Sequence, residues 1–340
     1  MSLPETLDST VRALLAPGKG ILAADESLPT IGKRFKELGI PSTEENRRAY
    51  RDLLFSTPGL GEYISGAILF DETMRQRASG GAPLQGLLEA QGIVPGIKVD
   101  GGAVPLPAFP GEKFTTGLDG LRERFAEYRQ LGARFTKWRA VIAIGEGMPT
   151  GVCLDANATA LALFAALSQE ANMVPIVEPE ILMDGDHGID RCEEVAGRTL
   201  KAVFEALGRH RVSLSGMLLK TGMILAGEDA KRQSDDAQVA EATIRCFRQW
   251  VPAGIPGIVF LSGGQGDVEA TRRLNAICAP KGLPWKLTFS FGRALQDAAM
   301  KDWAGKAANV AAAQAALKHR ARCNALAVQG SYGDKAESAL

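Results

Sequence analysis

The sequence predicts an α/β fold, a closed (β/α)8 TIM barrel, with an extra N-terminal helix and a long C-terminal helix and tail. Three observations predict it. Eight apolar runs bounded by glycine, proline or acidic residues read as strands, and stretches of helical period separate most of them. Several runs are apolar nearly throughout, as in Ile176-Val177 and Ile258-Val259-Phe260-Leu261, the pattern of strands covered on both faces of a parallel sheet. The chain has 340 residues, which accommodates about 250 residues of barrel plus additions. An open doubly wound sheet is the competing architecture. It usually carries a Gly-x-Gly-x-x-Gly turn after its first strand, and residues 20–27 offer none. The whole chain, 1–340, is expected to be one barrel domain, with 330–340 as a mobile tail of small and polar residues.

In chain order, a helix is expected around 9–15 and the first strand at 20–25. Ser42-Thr43-Glu44-Glu45 sets a hydroxyl ahead of acidic residues, a helix start. Strands follow at 63–70 and 93–100. The stretch 101–117 carries Pro105, Pro107 and Pro110 among glycines and reads as a long loop, of a length often functional in compact domains. Beyond it, strands at 134–141, 174–181, 214–223, 257–263 and 286–292 alternate with helices at 118–131, 156–172, 190–207, 235–250 and 267–278. A long alanine-rich helix over about 294–326 closes the pattern.

Composition narrows the function. Hydrophobic residues make up 46% and charged residues 23%, and 39 basic residues balance 39 acidic ones. A chain without basic excess has no overall electrostatic footprint for nucleic acid. No uninterrupted apolar run approaches the roughly 18 residues of a membrane span, and Met1-Ser2-Leu3-Pro4-Glu5 lacks the order of a secretory signal. A cytoplasmic location is expected, with no nucleic-acid or membrane partner. The five cysteines are scattered singly and the three histidines, His187, His210 and His319, are far apart. Reduced, buried thiols are expected rather than disulfides or zinc, and no metal or other cofactor.

The informative residues are charges inside apolar runs: Asp25, Lys98, Lys137, Arg139, Glu178, Glu180 and Lys220. Lysine and glutamate are almost never fully buried unless paired. Any one strand-borne lysine is ordinarily a snorkelling side chain. Here the charges recur near the C-terminal ends of at least five predicted strands, and that end of a barrel carries its chemistry. Residues two apart on a strand share a face, so Lys137 projects with Arg139 and Glu178 with Glu180.

A phosphate reader follows. Leu261-Ser262-Gly263-Gly264 ends the seventh predicted strand, and Ser290-Phe291-Gly292-Arg293 ends the eighth, directly before a helix. Glycine-rich turns and helix starts present N–H groups to phosphate, and these two loops are the usual place for it in this architecture. Three other motifs are set aside. Gly145-Glu146-Gly147 lacks a third glycine. Asp184-Gly185-Asp186-His187-Gly188 has Val195 where a calcium loop needs glutamate. Lys33-Arg34 and Arg47-Arg48 read as ordinary basic helix faces.

A lysine crowded by cations in a partly apolar pocket is expected to lose its proton more readily. Its free amine then attacks a carbonyl to form a Schiff base, and nearby carboxylates move the protons. With phosphate sites alongside, the chemistry is carbonyl carbon chemistry on a sugar phosphate. The residues themselves do not choose which lysine is the nucleophile.

At these positions the chain resembles class I fructose-bisphosphate aldolase. The matching segments are Gly20-Ile-Leu-Ala-Ala-Asp25-Glu-Ser27, Thr43-Glu-Glu-Asn-Arg-Arg48, Gly96-Ile-Lys98-Val-Asp100, Lys137-Trp-Arg139, Val174-Pro-Ile-Val-Glu178-Pro-Glu180, Leu218-Leu-Lys220, Phe260-Leu-Ser262-Gly-Gly264 and Leu287-Thr-Phe-Ser290-Phe-Gly-Arg293, with a looser match at Asn324–Gly330. The resemblance implies reversible aldol cleavage of fructose 1,6-bisphosphate, in glycolysis and gluconeogenesis. It makes Lys220 the Schiff-base nucleophile, with Lys137 beside it. Glu178 becomes the acid/base, Asp25 the base for carbon–carbon cleavage, and Glu180 the residue that orients and balances the lysines, with Arg139 also in the catalytic set. Ser262, Gly263, Gly264, Ser290, Gly292 and Arg293 would hold the ketose-end phosphate, and Lys98, Ser27 and Thr30 the aldehyde end. The resemblance also implies a homotetramer. Animal members end in a tyrosine that serves the enamine step, whereas this chain ends Ser338-Ala339-Leu340. Thr221 and Phe291 stand where proline and tyrosine are common. Another lysine-imine barrel, such as a transaldolase or deoxy-sugar aldolase, and a silent sugar-phosphate binder are the alternatives.

Overall fold

A computed structural model describes residues 5–338. Eight parallel strands close into a barrel: β1 (Gly20–Ala24), β2 (Ile64–Leu69), β3 (Val94–Lys98), β6 (Phe135–Ile142), β7 (Val174–Ile181), β8 (Leu218–Thr221), β9 (Gly257–Phe260) and β10 (Lys286–Phe291), with β10 pairing back onto β1. The eight expected strands are all present, with ends shifted by a few residues. Residues 101–117 are not an irregular loop. They form an antiparallel hairpin, β4 (Gly102–Pro105) on β5 (Lys113–Thr116). Its four-residue strands are too short to show alternation, and Pro105 and Pro107 hide them as turn residues.

Helices follow the strands. They are α1 (Glu5–Leu14), α2 (Leu28–Glu37), α3 (Glu44–Phe55), α4 (Asp71–Arg75), α5 (Leu84–Glu89), α6 (Leu121–Gln130), α7 (Gly151–Glu170), α8 (Ile189–Arg209), α9 (Asp236–Trp250), α10 (Asp267–Cys278), α11 (Arg293–Trp303), α12 (Val310–Val328) and α13 (Asp334–Glu337). Thr43 caps α3 as expected, its hydroxyl accepting from Asn46 N at 3.1 Å. The long helix expected at 294–326 is two helices. Ala304 and Gly305 take left-handed backbone angles, φ 46° and 73°, which end α11 before α12 begins. Helix α7 is long and apolar enough to cross a membrane, with mean hydropathy 1.5. It packs on β6, β7 and α8, so its apolar character is that of a core helix.

The barrel interior is filled from the bottom. Ile21, Ala23, Ile68, Phe135, Ile176, Leu218 and Val259 point inward, and Leu7, Val11, Leu14 and Leu15 from α1 and its end pack against them. Glycines on the strands make room for these large side chains. A Cβ on Gly96 would stand 2.3 Å from the Phe135 ring, and one on Gly257 would stand 2.5 Å from Leu15. Two residues further along each strand, the apolar layer gives way to charge. Asp25 follows Ala23, Lys137 follows Phe135, Glu178 follows Ile176 and Lys220 follows Leu218.

In the C-terminal stretch, expected to be a mobile tail, α13 is held to the body. Tyr332 Oη donates to Glu337 Oε2 at 2.6 Å, and Arg320 pairs with Glu337. Residues 339 and 340 lie outside the described residues.

Candidate active site

A cavity of about 900 Å³ opens at the C-terminal end of the barrel. Of the residues singled out from the sequence, Asp25, Ser27, Thr30, Lys98, Lys137, Arg139, Glu178, Glu180, Lys220, Ser262, Gly263, Ser290, Gly292 and Arg293 all line it. Gly264 stands one residue outside the wall, with Arg293 Nη2 3.4 Å from where its Cβ would be.

The floor is a string of alternating charges. Lys137 Nζ lies 2.6 Å from Asp25 Oδ2 and 3.1 Å from Glu178 Oε2, while Lys220 Nζ lies 3.0 Å from Glu178 Oε1. All four are buried, Lys220 at 4% exposure. Glu178 Oε2 is within ion-pair distance of Lys137 but makes no aligned hydrogen bond, so it keeps a lone pair for another proton. Two carboxylates thus sit among two lysines, and the buried set is formally neutral. Each cation has a counter-charge beside it, which offsets its desolvation.

Electrostatics fixes the charge states. Burial by itself would raise the Asp25 carboxyl, but Lys137 and Lys220 outweigh it and hold it at about 2. Burial likewise opposes ionisation of Glu178, and Lys137, Lys220 and Arg139 overcome it, so it lies below the usual glutamate range. Lys137 is held above the usual lysine range, because Asp25 and Glu178 more than offset its burial. Arg139 pairs with Glu180 at the end of the same register, and its backbone N donates to Asp100 Oδ2 at 3.2 Å. Strand pairing sets this up: Lys98 lies beside Lys137, and Arg139 beside Glu178.

Two glycine turns form one rim. Gly263 and Gly264 have φ of 60° and 100°, a left-handed pair that concentrates N–H groups at the end of β9. Gly292 precedes α11, whose first turn leaves N–H groups without helical partners. An anion between these turns would meet N–H groups from both and the side chain of Arg293.

Among the wall residues that sequence reasoning did not assign are Lys33, Arg34, Glu26 and Asp100. Lys33 and Arg34, set aside as an ordinary basic face, line the cavity. Arg34 is in fact buried, paired to Glu26 and, at 2.7 Å, to Asp297 Oδ1. Nothing local marks it, since Asp297 is distant in sequence. Glu26 also takes Arg51 at 2.8 Å, and Gln296 Nε2 donates to its Oε1 at 3.1 Å. An acidic pair at 25–26 ending an apolar run was the available signal. Asp100, 2.5 Å from Lys98 Nζ, was legible as the residue two beyond that lysine.

A family model described as fructose-bisphosphate aldolase class-I matches residues 6–340. The chain belongs to that family. It is 54% identical over 329 residues, 96% of this chain and 98% of the relative, to the probable fructose-bisphosphate aldolase class 1 of Xanthomonas campestris. The Drosophila melanogaster fructose-bisphosphate aldolase is 49% identical over 332 residues, covering 97% and 92% of the two chains. A solved fructose-bisphosphate aldolase from Plasmodium falciparum superposes with a TM-score of 0.96 at 48% identity, covering 98% of each chain. Class I fructose-bisphosphate aldolases are lyases that cleave the sugar bisphosphate reversibly through a Schiff base without a metal, and this chain has a buried lysine at the floor of its barrel.

Proposed function

We propose that this chain cleaves fructose 1,6-bisphosphate with Lys220 as the nucleophile. The observation that carries this reading is the contact chain Lys220–Glu178–Lys137–Asp25 at the floor of a cavity rimmed by phosphate turns. Glu178 Oε1, 3.0 Å from Lys220 Nζ, is within reach to take its proton. The free amine adds to the ketone carbon. Glu178 gives that proton to the new alkoxide, takes a second from the added nitrogen and delivers it to the carbinolamine hydroxyl, which leaves as water, and an iminium remains. Asp25, ionised at neutral pH, accepts the proton of the hydroxyl two carbons from the iminium. As that oxygen becomes a carbonyl, the intervening carbon–carbon bond breaks and its electron pair flows into the iminium. Glyceraldehyde 3-phosphate departs; the enamine left behind is protonated and hydrolysed to dihydroxyacetone phosphate. Lys137 keeps its charge throughout and holds both carboxylates in place. Arg139 and Glu180 brace the upper wall. Ser262, Gly263, Ser290, Gly292 and Arg293, with Gly264 shaping the turn, hold the ketose-end phosphate; Lys98, Ser27 and Thr30 receive the other.

Borohydride added with dihydroxyacetone phosphate should reduce the imine and tag the peptide containing Lys220, and chelators should leave turnover intact. A tag on a different lysine would reassign the nucleophile, and loss of turnover on chelation with no adduct would refute the imine route. The bisphosphate should be turned over in preference to the monophosphate, which separates this reading from other lysine-imine barrels. Family habit supports a cytoplasmic homotetramer, and light scattering of the purified chain at four chain masses is the expected result.

A further inference from the structure

Away from the cavity, one side-chain cluster has metal-ligand chemistry and no part in the proposed reaction. His319 and Cys323 are four residues apart on α12, so they project from one face. Nε2 of the first and Sγ of the second are 3.6 Å apart. Metal bonds of about 2.0–2.1 Å to nitrogen and about 2.3 Å to sulfur, at a tetrahedral angle, separate the two donors by about 3.6 Å. A weak S–H contact to the ring would have the same length, so a third donor decides. Glu337, on α13, folds back onto this face, and one ligand atom from each of the three residues lies within 4.8 Å of the others.

The carboxylate is already oriented. Tyr332 Oη holds Glu337 Oε2 at 2.6 Å, and Arg320 pairs with Oε1. Arg320 is itself anchored, its Nη2 2.6 Å from Thr271 Oγ1. Such hydrogen bonds behind a ligand are what fix its direction towards an ion. Cys323 is buried, and His319 and Glu337 are half-buried, which leaves an approach from solvent.

We propose that His319, Cys323 and Glu337 form a binding site for a divalent cation of the zinc class, which fastens the C-terminal segment to α12. Thiolate and imidazole donors select zinc or cobalt over magnesium or calcium. On binding, the Cys323 S–H bond breaks, its proton leaves to solvent, and the thiolate pair forms the metal–sulfur bond. Binding adds two positive charges and releases one proton, so the site gains one unit of positive charge, and the Glu337 carboxylate is shared between the ion and Arg320. Water takes the fourth position. The ion is structural; none of its ligands lines the cavity.

Cobalt titrated into the full chain should give a near-ultraviolet thiolate-to-cobalt charge-transfer band that saturates at one ion per chain and is displaced by zinc. His319→Ala, at a half-buried position, should remove the band while turnover shows the variant folded. Glu337→Gln should weaken cobalt binding about tenfold or more. Trypsin cleavage after Lys335 should slow when zinc is added to the wild-type chain and not when it is added to H319A. Absence of the band in the wild-type chain, or its survival undiminished in H319A, overturns the site. A band without slowed cleavage overturns the fastening.

Discussion

Lys220 and Asp25 lie at the two ends of one buried chain of contacts, and each is open to a separate test. Lys220→Ala removes the proposed covalent handle, so turnover should fall roughly 10⁴-fold or more, and the borohydride tag should vanish with it. Ordinary folding of the variant, checked by circular dichroism, distinguishes this from collapse of the floor. Asp25 links the site to stability. Its carboxyl drops from an ordinary value of 3.8 to about 2 in the folded chain, so the folded state favours the ionised form. That stabilisation, about 2 kcal/mol, is present in full above pH ~4 and is lost as pH falls towards 2. Unfolding by urea across this window should show a steeper acid limb in the wild-type chain than in Asp25→Asn. Equal limbs would mean that Asp25 gains nothing from Lys137 and Lys220.

Helix α1 acts as the plug of the barrel. Leu14 is wholly buried and its Cδ2 lies 2.5 Å from the Cβ position of Gly66, so strand and helix approach as closely as glycine permits. Leu14→Ala should leave a void at the barrel bottom and cost about 2–5 kcal/mol in denaturant unfolding. Because the plug is at the opposite end from the lysines, KM should stay unchanged. At the top, Glu26 ties three elements together through Arg34 on α2, Arg51 on α3 and Gln296 on α11. Glu26→Gln leaves two buried guanidinium groups without their shared charge and should destabilise by about 3 kcal/mol. It should also raise KM, since Arg34 lines the cavity. A purely structural Glu26 would move stability and leave KM alone.

Taken as a whole, the molecule carries 39 basic and 39 acidic residues, yet the cations are not evenly spread. Lys33, Arg34, Lys98 and Arg293 all stand around one mouth, where Glu26, Glu37 and Asp100 offset them only in part. A doubly phosphorylated sugar should feel that local field despite zero net charge. KM should therefore rise several-fold as ionic strength goes from about 0.02 M to about 0.5 M, with kcat little changed, because screening acts on approach and not on the buried floor. A KM indifferent to salt would show that the rim charges are neutralised by their own partners, such as Asp100 and Glu26.

What the sequence determined by itself was local. Alternation of apolar runs with helical periods gave the eight strands and the barrel, and the two-residue period of a strand already paired Lys137 with Arg139 and Glu178 with Glu180. The glycine turns after β9 and before α11 were legible for the same reason, since turn chemistry resides in adjacent residues. Short elements escaped: the β4–β5 hairpin has four residues a strand, and the break at Ala304–Gly305 lies within an alanine-rich stretch whose composition favours continuing the helix. Partners distant in sequence were decided only by closure of the barrel and packing of its helices. Those contacts made Glu178 the carboxylate shared by Lys137 and Lys220, buried Arg34 against Asp297, and brought Glu337 back to His319 and Cys323. Such pairings depend on how far apart in the chain two surfaces lie and on what must neutralise a buried charge, and neither is written in any window of neighbouring residues.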